Sequence, residues 1–147
     1  MNVSAAGQAA IEWTQAPALP DAIGFAGSFA GVSGDALLVG GGANFPDRPP
    51  WQGGTKVWHD RVFAFDADNN RWLDAGRLPQ PNGYGVSVTV PDGLVLIGGG
   101  DAVKNFADAW LARYDADTRR VSFTRWPNLP VPLAMAAGAL VEKTIYV

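Results

Sequence analysis

Leu94-Val95-Leu96-Ile97-Gly98-Gly99-Gly100 decides the fold, because an earlier stretch, Ala36-Leu37-Leu38-Val39-Gly40-Gly41-Gly42, has the same form. Working outward, each glycine triplet is followed by an aromatic run that ends in aspartate: Val62-Phe63-Ala64-Phe65-Asp66, then Trp110-Leu111-Ala112-Arg113-Tyr114-Asp115. Each copy then reaches a tryptophan, Trp72 or Trp126, and closes at Leu78-Pro79 or Leu129-Pro130. The period is about 50 residues, a spacing that marks a fold built from repeated supersecondary units. Trp13 with Leu19-Pro20 belongs to an incomplete unit before the first copy. Ala136 to Val141 and Thr144 to Val147 open another after the second.

The residues within a unit spell four strands. Val86, Val88 and Val90 alternate with Ser87 and Thr89, as in a half-buried strand, whereas Leu94 to Ile97 is continuously apolar, as in a strand covered on both faces. Pro91-Asp92-Gly93 between them has turn chemistry. Phe106, Trp110 and Tyr114 fall at i, i+4 and i+8 in a stretch without Gly or Pro, which would also fit a helix. The compact, strand-like counterpart Val62 to Phe65 favours a strand at this position too. The 147 residues, with 48% apolar and 17% charged side chains, are enough for one globular domain, and 18 Gly with 11 Pro are too many breaks for a helical bundle.

Several functions are excluded or disfavoured by composition. Eleven basic against fourteen acidic residues leave a formal charge of -3, which is no footprint for a phosphate backbone, so nucleic acid is not an expected partner. The absence of cysteine removes disulfides, thiolate zinc sites and a Cys nucleophile. A single histidine cannot anchor zinc with its usual ligands, so no metal site is expected. The first residues show no signal-peptide pattern and no run is long enough to span a bilayer, so a soluble protein of the cytoplasm, without membrane contact, is the expectation.

A four-stranded antiparallel unit with a glycine cluster after its second strand and a tryptophan in its fourth resembles a kelch blade of a β-propeller. The class is therefore all-β, with units at about 20–79 and 80–130, an incomplete unit at 131–147, and 1–19 as the closing strand of a preceding blade. The glycines belong where the chain turns sharply among crowded neighbouring blades. Propellers close with more blades than this. The chain is accordingly expected to be a fragment whose exposed blade edges would allow self-association.

Residues 43 to 59 are the excess of the first copy over the second. Long loops in compact folds tend to carry function, and Phe45, Trp51 and Trp58 argue against disorder. Gly-Gly-Ala-Asn-Phe-Pro at 41–46, Pro-Trp at 50–51, Gly-Gly-Thr-Lys-Val-Trp-His-Asp at 53–60 and Gly83-Tyr84-Gly85-Val86-Ser87 resemble the cyclically permuted kelch mutarotase family, relatives of bacterial N-acetylneuraminate epimerase. Phe25 to Gly31 is similar to that family as well, whereas beyond Asp101 only generic blade features match.

The resemblance implies about half of a six-bladed propeller that interconverts the α and β anomers of a free sialic acid, a small sugar acid, and needs no cofactor. The family's exported members make the periplasm the alternative compartment. The glutamate and arginine proposed for the family's chemistry match no residue here, and the resemblance implies that they lie downstream of Val147. Opening a hemiketal ring needs a base at the anomeric hydroxyl and an acid at the ring oxygen, and the sialate carboxylate needs a cation or amide donors. His59 and Asp60 are the candidates for proton transfer, Arg48 or Lys56 for the carboxylate, Asn44 for hydroxyls, and Trp51 or Trp58 for stacking on the sugar.

Structural roles are open to the same residues. His59 is as well suited to a local hydrogen bond, and Asp60 recurs as Asp108, which suits a packing acid of the blade. Trp72 and Trp126 are expected in the core between blades, and Asp101 with Lys104 are weaker candidates in the loop of the second copy. A kelch protein-interaction or carbohydrate-binding module without catalysis is the alternative function, since this fold hosts many.

Overall fold

The computed structural model of the chain describes residues 11–147. Two four-stranded antiparallel sheets account for most of it. The first comprises β1 (Phe29–Ser33), β2 (Ala36–Gly40), β5 (Arg61–Asp66) and β6 (Arg71–Arg77), in that spatial order. The short strands β3 (Ala43–Asn44) and β4 (Val57–Trp58) form a separate hairpin between its second and third strands. The second sheet repeats the plan with β7 (Val86–Val90), β8 (Gly93–Ile97), β9 (Ala109–Asp115) and β10 (Arg120–Trp126). A final hairpin, β11 (Ala139–Val141) with β12 (Thr144–Tyr146), follows. The architecture is all-β, with four-stranded blades of the β-propeller kind and no α-helix among the described residues.

The helix-like spacing resolves as strand because four is a multiple of the strand period as well as about one helical turn. Trp110 and Tyr114 lie on one face of β9 with Ala112 between them, and all three belong to the core shared with the first sheet. The apolar run Leu94 to Ile97 is buried at every position because both faces of β8 are covered. Leu94 and Leu96 meet Phe29, Leu38, Val62 and Ala64 of the first sheet. Val95 and Ile97 pack instead with Val86, Val88 and Leu111, under Leu129 and Ile145. Burying side chains such as Phe29, Leu38 and Leu94 contributes about 1.5–3 kcal/mol each before the ordering cost.

Polar links cross the same interface. Ala30 N–H and Val32 N–H, on the free edge of β1, donate to Ser87 Oγ and Thr89 Oγ1 of β7, each at 3.0 Å. Tyr114 N–H donates to Ser33 Oγ at 2.9 Å. Close approach of the sheets requires Gly31, where an added Cβ would lie 2.3 Å from Leu94 Cδ1.

The two glycine triplets are offset by one residue: Gly40 ends β2 in the place that Ile97 holds in β8, so Gly41 and Gly42 correspond to Gly98 and Gly99. Gly41 and Gly42 have φ of 65° and 91°, and Gly98 and Gly99 have 64° and 91°. Asn82 sits between the triplets: its carbonyl accepts from Gly42 N–H at 2.8 Å and its Nδ2 donates to Gly98 O at 2.9 Å. A Cβ at Gly41 would meet Asn82 O at 2.3 Å, and one at Gly99 would meet Asn82 Oδ1 at 2.2 Å. Crowding between blades therefore selects glycine at both places.

The repeat tryptophans differ from expectation. Trp126 is 36% exposed and lies outside the core between the sheets. Alternation along β10 explains this: Val121 and Phe123 face the first sheet, which sends Ser122, Thr124 and Trp126 to the other side. Trp72 is half-buried, packs on Phe65 with centroids 5.1 Å apart, and donates from Nε1 to Pro17 O at 2.8 Å. Residues 11–19 contain no strand and Trp13 is exposed. Residues 1–10, the remainder of the segment expected to close a preceding blade, lie outside the described residues. No helix among the described residues is long and apolar enough to cross a membrane.

Candidate functional site

The excess loop of the first sheet folds back on itself. Ala43 and Asn44 pair with Trp58 and Val57 to close its base. At its tip, Pro50–Gln52 form one 3-10 turn that ends at Gly53 in the left-handed region, φ 77°. Gly54 passes so close to the Arg48 carbonyl that any side chain there would collide with it. Asp47 ties the two limbs together by accepting from Thr55 N–H at 3.3 Å. Hydrogen bonding to the Arg48 backbone N–H, with those of Asp47 and Thr55 and the Arg48 side chain, holds the Asp47 carboxyl below its ordinary range.

This loop, residues 23–26 and Tyr84 enclose an open cleft of about 710 Å³, within the range of small-molecule sites. Four residues expected to bind substrate line it: Asn44, Arg48, Trp51 and Lys56. Trp51 is 81% exposed at the rim, so most of its indole is open to a ligand. Arg48 is 59% exposed and reaches Asp47 at 3.5 Å. Lys56 is half-buried; its Nζ donates to Tyr84 OH at 2.6 Å and lies over two rings, 4.3 Å from the centroid of Tyr84 and 5.0 Å from that of Trp58.

Asn44 is buried, and its amide is already engaged. Nδ2 donates to Gly24 O at 2.9 Å, which leaves Oδ1 to face His59 Nε2 at 2.8 Å. Since that oxygen can only accept, His59 carries its proton on Nε2. The imidazole also stands edge-on to the Phe25 ring at 5.0 Å.

The remaining expected residues do not line the cleft. His59 and Trp58 sit behind the base of the loop, where Trp58 supplies a ring for Lys56. Asp60 pairs with Arg77 at 2.6 Å, and Asp108 pairs with Arg125 in the equivalent place of the second sheet. Recurrence in a unit without a histidine marks this ion pair as part of the blade. Asp101 caps its own turn, accepting from Val103 and Lys104 N–H at 2.8 and 2.9 Å. Those N–H groups, Lys104's foremost, keep its carboxyl below the ordinary range.

Tyr84 is the polar lining residue from outside the loop, one to which sequence reasoning gave no individual role. It enters from the strand leader of the second sheet, far along the chain from the loop it completes. The available signal was an aromatic residue flanked by Gly83 and Gly85. Gly85 is sterically required, since a Cβ there would lie 2.4 Å from Phe29 Cε1, and Gly83 is tightly placed, 3.1 Å being left between its Cβ position and Gly42 Cα.

The N-acetylneuraminate epimerase family profile matches residues 1–121. The chain is 43% identical over 106 residues to the N-acetylneuraminate epimerase of Yersinia pestis (strain Pestoides F), an alignment covering 60% of this chain and 26% of that protein. To the Salmonella arizonae N-acetylneuraminate epimerase it is 43% identical over 88 residues, 54% of this chain and 22% of that one. The chain thus spans about a quarter of the length of these curated relatives. Among solved structures, that of YjhT superposes with a TM-score of 0.67 at 29% identity, covering 77% of this chain and 34% of YjhT.

Proposed function

The chain belongs to the N-acetylneuraminate epimerase family, and from that premise we propose that it contributes the sugar-acid-binding part of a sialic acid mutarotase, which interconverts the α and β anomers of N-acetylneuraminate. The observation that carries the reading is the convergence of Asn44, Arg48, Trp51 and Lys56 on one cleft. A lysine ammonium suits a sugar carboxylate, and an exposed indole suits the apolar face of a pyranose ring.

Ring opening requires one proton to leave the anomeric hydroxyl and another to reach the ring oxygen. His59 is committed to Asn44 and Asp60 to Arg77, which favours structural parts for both. Neither of the two candidates for proton transfer is therefore free to face the cleft. The same observation favours a second reading, in which the chain binds a sugar acid without turning it over. Self-association through exposed blade surfaces belongs to the proposal as well.

The test is a proton NMR time course of anomer re-equilibration after a sialidase has released α-N-acetylneuraminate, with and without the chain. Faster re-equilibration supports the mutarotase. Saturable binding at the uncatalysed rate supports the binding module, and absence of both refutes the sugar-acid reading.

A further inference from the structure

Lys56 and Tyr84 reach the cleft from two different blades, and we propose that together they form the receptor for a ligand carboxylate, with Tyr84 as a specificity-determining residue. This rests on the sugar-acid reading and says which groups recognise the acid.

The geometry begins with the hydrogen bond. An ammonium group can only donate, so at 2.6 Å the Tyr84 oxygen is the acceptor and its own hydrogen must be directed elsewhere. Lys56 keeps two further N–H donors. The pair therefore offers donors on two adjacent atoms, which matches the two oxygens of a carboxylate. No carboxylate among the described residues lies within ion-pair distance of Lys56. Its charge meets the Tyr84 oxygen and the Trp58 ring, neutral groups that fix the ammonium without neutralising it. Arg48, by contrast, is mostly exposed and already shares its charge with Asp47.

Tyr84 is held in place at a conformational cost. Its φ is 62°, in the left-handed region, where a bulky aromatic residue is rare. The equivalent position of the first sheet is Gly27, φ 67°, and that of the last hairpin is Met135, φ 58°. Backbone bonds between neighbours impose the conformation: Tyr84 N–H donates to Gly27 O, and Met135 N–H to Tyr84 O, both at 2.7 Å. The ring lies directly on Gly27, where an added Cβ would be 2.5 Å from Tyr84 Cδ1. Strained residues persist where their surroundings over-determine them, and here the surroundings hold a phenol against a lysine in the cleft.

The experiment is calorimetric titration of the full chain with N-acetylneuraminate and, separately, with its methyl ester, which lacks the charge. Tyr84→Phe keeps the ring on Gly27 and under Lys56, so the fold is retained; Lys56→Met keeps the aliphatic stem. Each is expected to weaken the acid about tenfold or more while changing the ester by less than about threefold. Arg48→Ala is expected to change acid and ester by the same factor. Equal losses for acid and ester in the Tyr84 and Lys56 variants, no loss in either, or an acid-selective loss in Arg48→Ala alone would overturn the proposal. Glucuronate and its methyl ester, run in parallel, separate the two readings. Binding of glucuronate only, lost in Tyr84→Phe, keeps the carboxylate receptor and refutes sialic acid as ligand. Binding of neither acid by the unaltered chain overturns both.

Discussion

Asn44 shows how one side chain can hold a site without presenting its polar atoms to a ligand. Its amide joins Gly24 O on one side of the cleft to His59 Nε2 behind it. Asn44→Ala leaves a carbonyl and a ring N–H in half-buried surroundings without partners, at an expected cost of about 1–3 kcal/mol. His59→Gln retains a donor for the Asn44 oxygen and is expected to cost less; urea denaturation midpoints of both variants check the order. Much of this site was legible in the sequence: the loop's length and its aromatic content singled out 43–59, and four of the candidates named in it line the cleft. What could not be read was direction. Trp58, His59 and Asp60 follow the base of the loop, and whether they face the cleft depends on pairing with Ala43 and on the ion pair with Arg77. Tyr84 escaped because its partner, Lys56, is nearby only through packing of the two sheets.

The hairpins β5–β6 and β9–β10 are built alike at the scale of the element. Asp66 accepts from Asn69 N–H at 3.2 Å and Asp115 from Thr118 N–H at 3.1 Å, and each turn then passes through a left-handed residue, Asn70 at φ 48° or Arg119 at φ 55°. The Asn69 side chain foremost, with its backbone N–H and Arg71, lowers the Asp66 carboxyl below its ordinary range. The Thr118 backbone N–H foremost, with that of Asp117, lowers Asp115. A lowered folded-state value means that the unfolded chain binds protons first as pH falls. The stabilisation is thus complete above the unfolded value near 3.8 and is lost as pH falls through the lower folded values. Denaturation midpoints measured from pH 6 down to about pH 2 are expected to fall below about pH 4. Asp115→Asn should make that fall shallower; an unchanged acid limb would exclude the turn carboxylate as a contributor. These turns recur in register with the aspartates and follow each glycine triplet in the same order, which is why the blades were legible from repetition. The tryptophan strands were less so, since repetition fixes a position along a strand but not the face that is covered.

At the scale of the whole molecule, the outer strands differ from the faces in how they meet solvent. β6 and β10 carry Arg71, Asp74, Arg77, Arg120 and Arg125, and the pairing of β5 with β6 is irregular at Val62/Phe63. Charged side chains and bulges are devices that discourage edge-to-edge pairing. On the face of the first sheet turned away from the second, the Arg61–Asp74 pair covers Phe63, and the next row is less well covered among the described residues. The register aligns Val32, Leu37, Phe65 and Trp72 in one apolar row across all four strands. Trp72 is tied to Pro17, whereas Val32 is 41% and Leu37 40% exposed. The β11–β12 hairpin adds Val141 and Tyr146, both exposed. Apolar area of this kind drives association, so self-association is expected through faces more than through edges. Sedimentation velocity over a range of concentrations is expected to show a dimer that Val32→Lys with Leu37→Lys shifts to monomer. These side chains stand on the solvent side, and replacing them leaves the β1 N–H groups bonded to Thr89 and Ser87. Arg120→Ala, on the outer edge, is expected to leave the dimer in place. Dissociation by the edge substitution alone would return association to the strand edges, and a monomer at every concentration would exclude it.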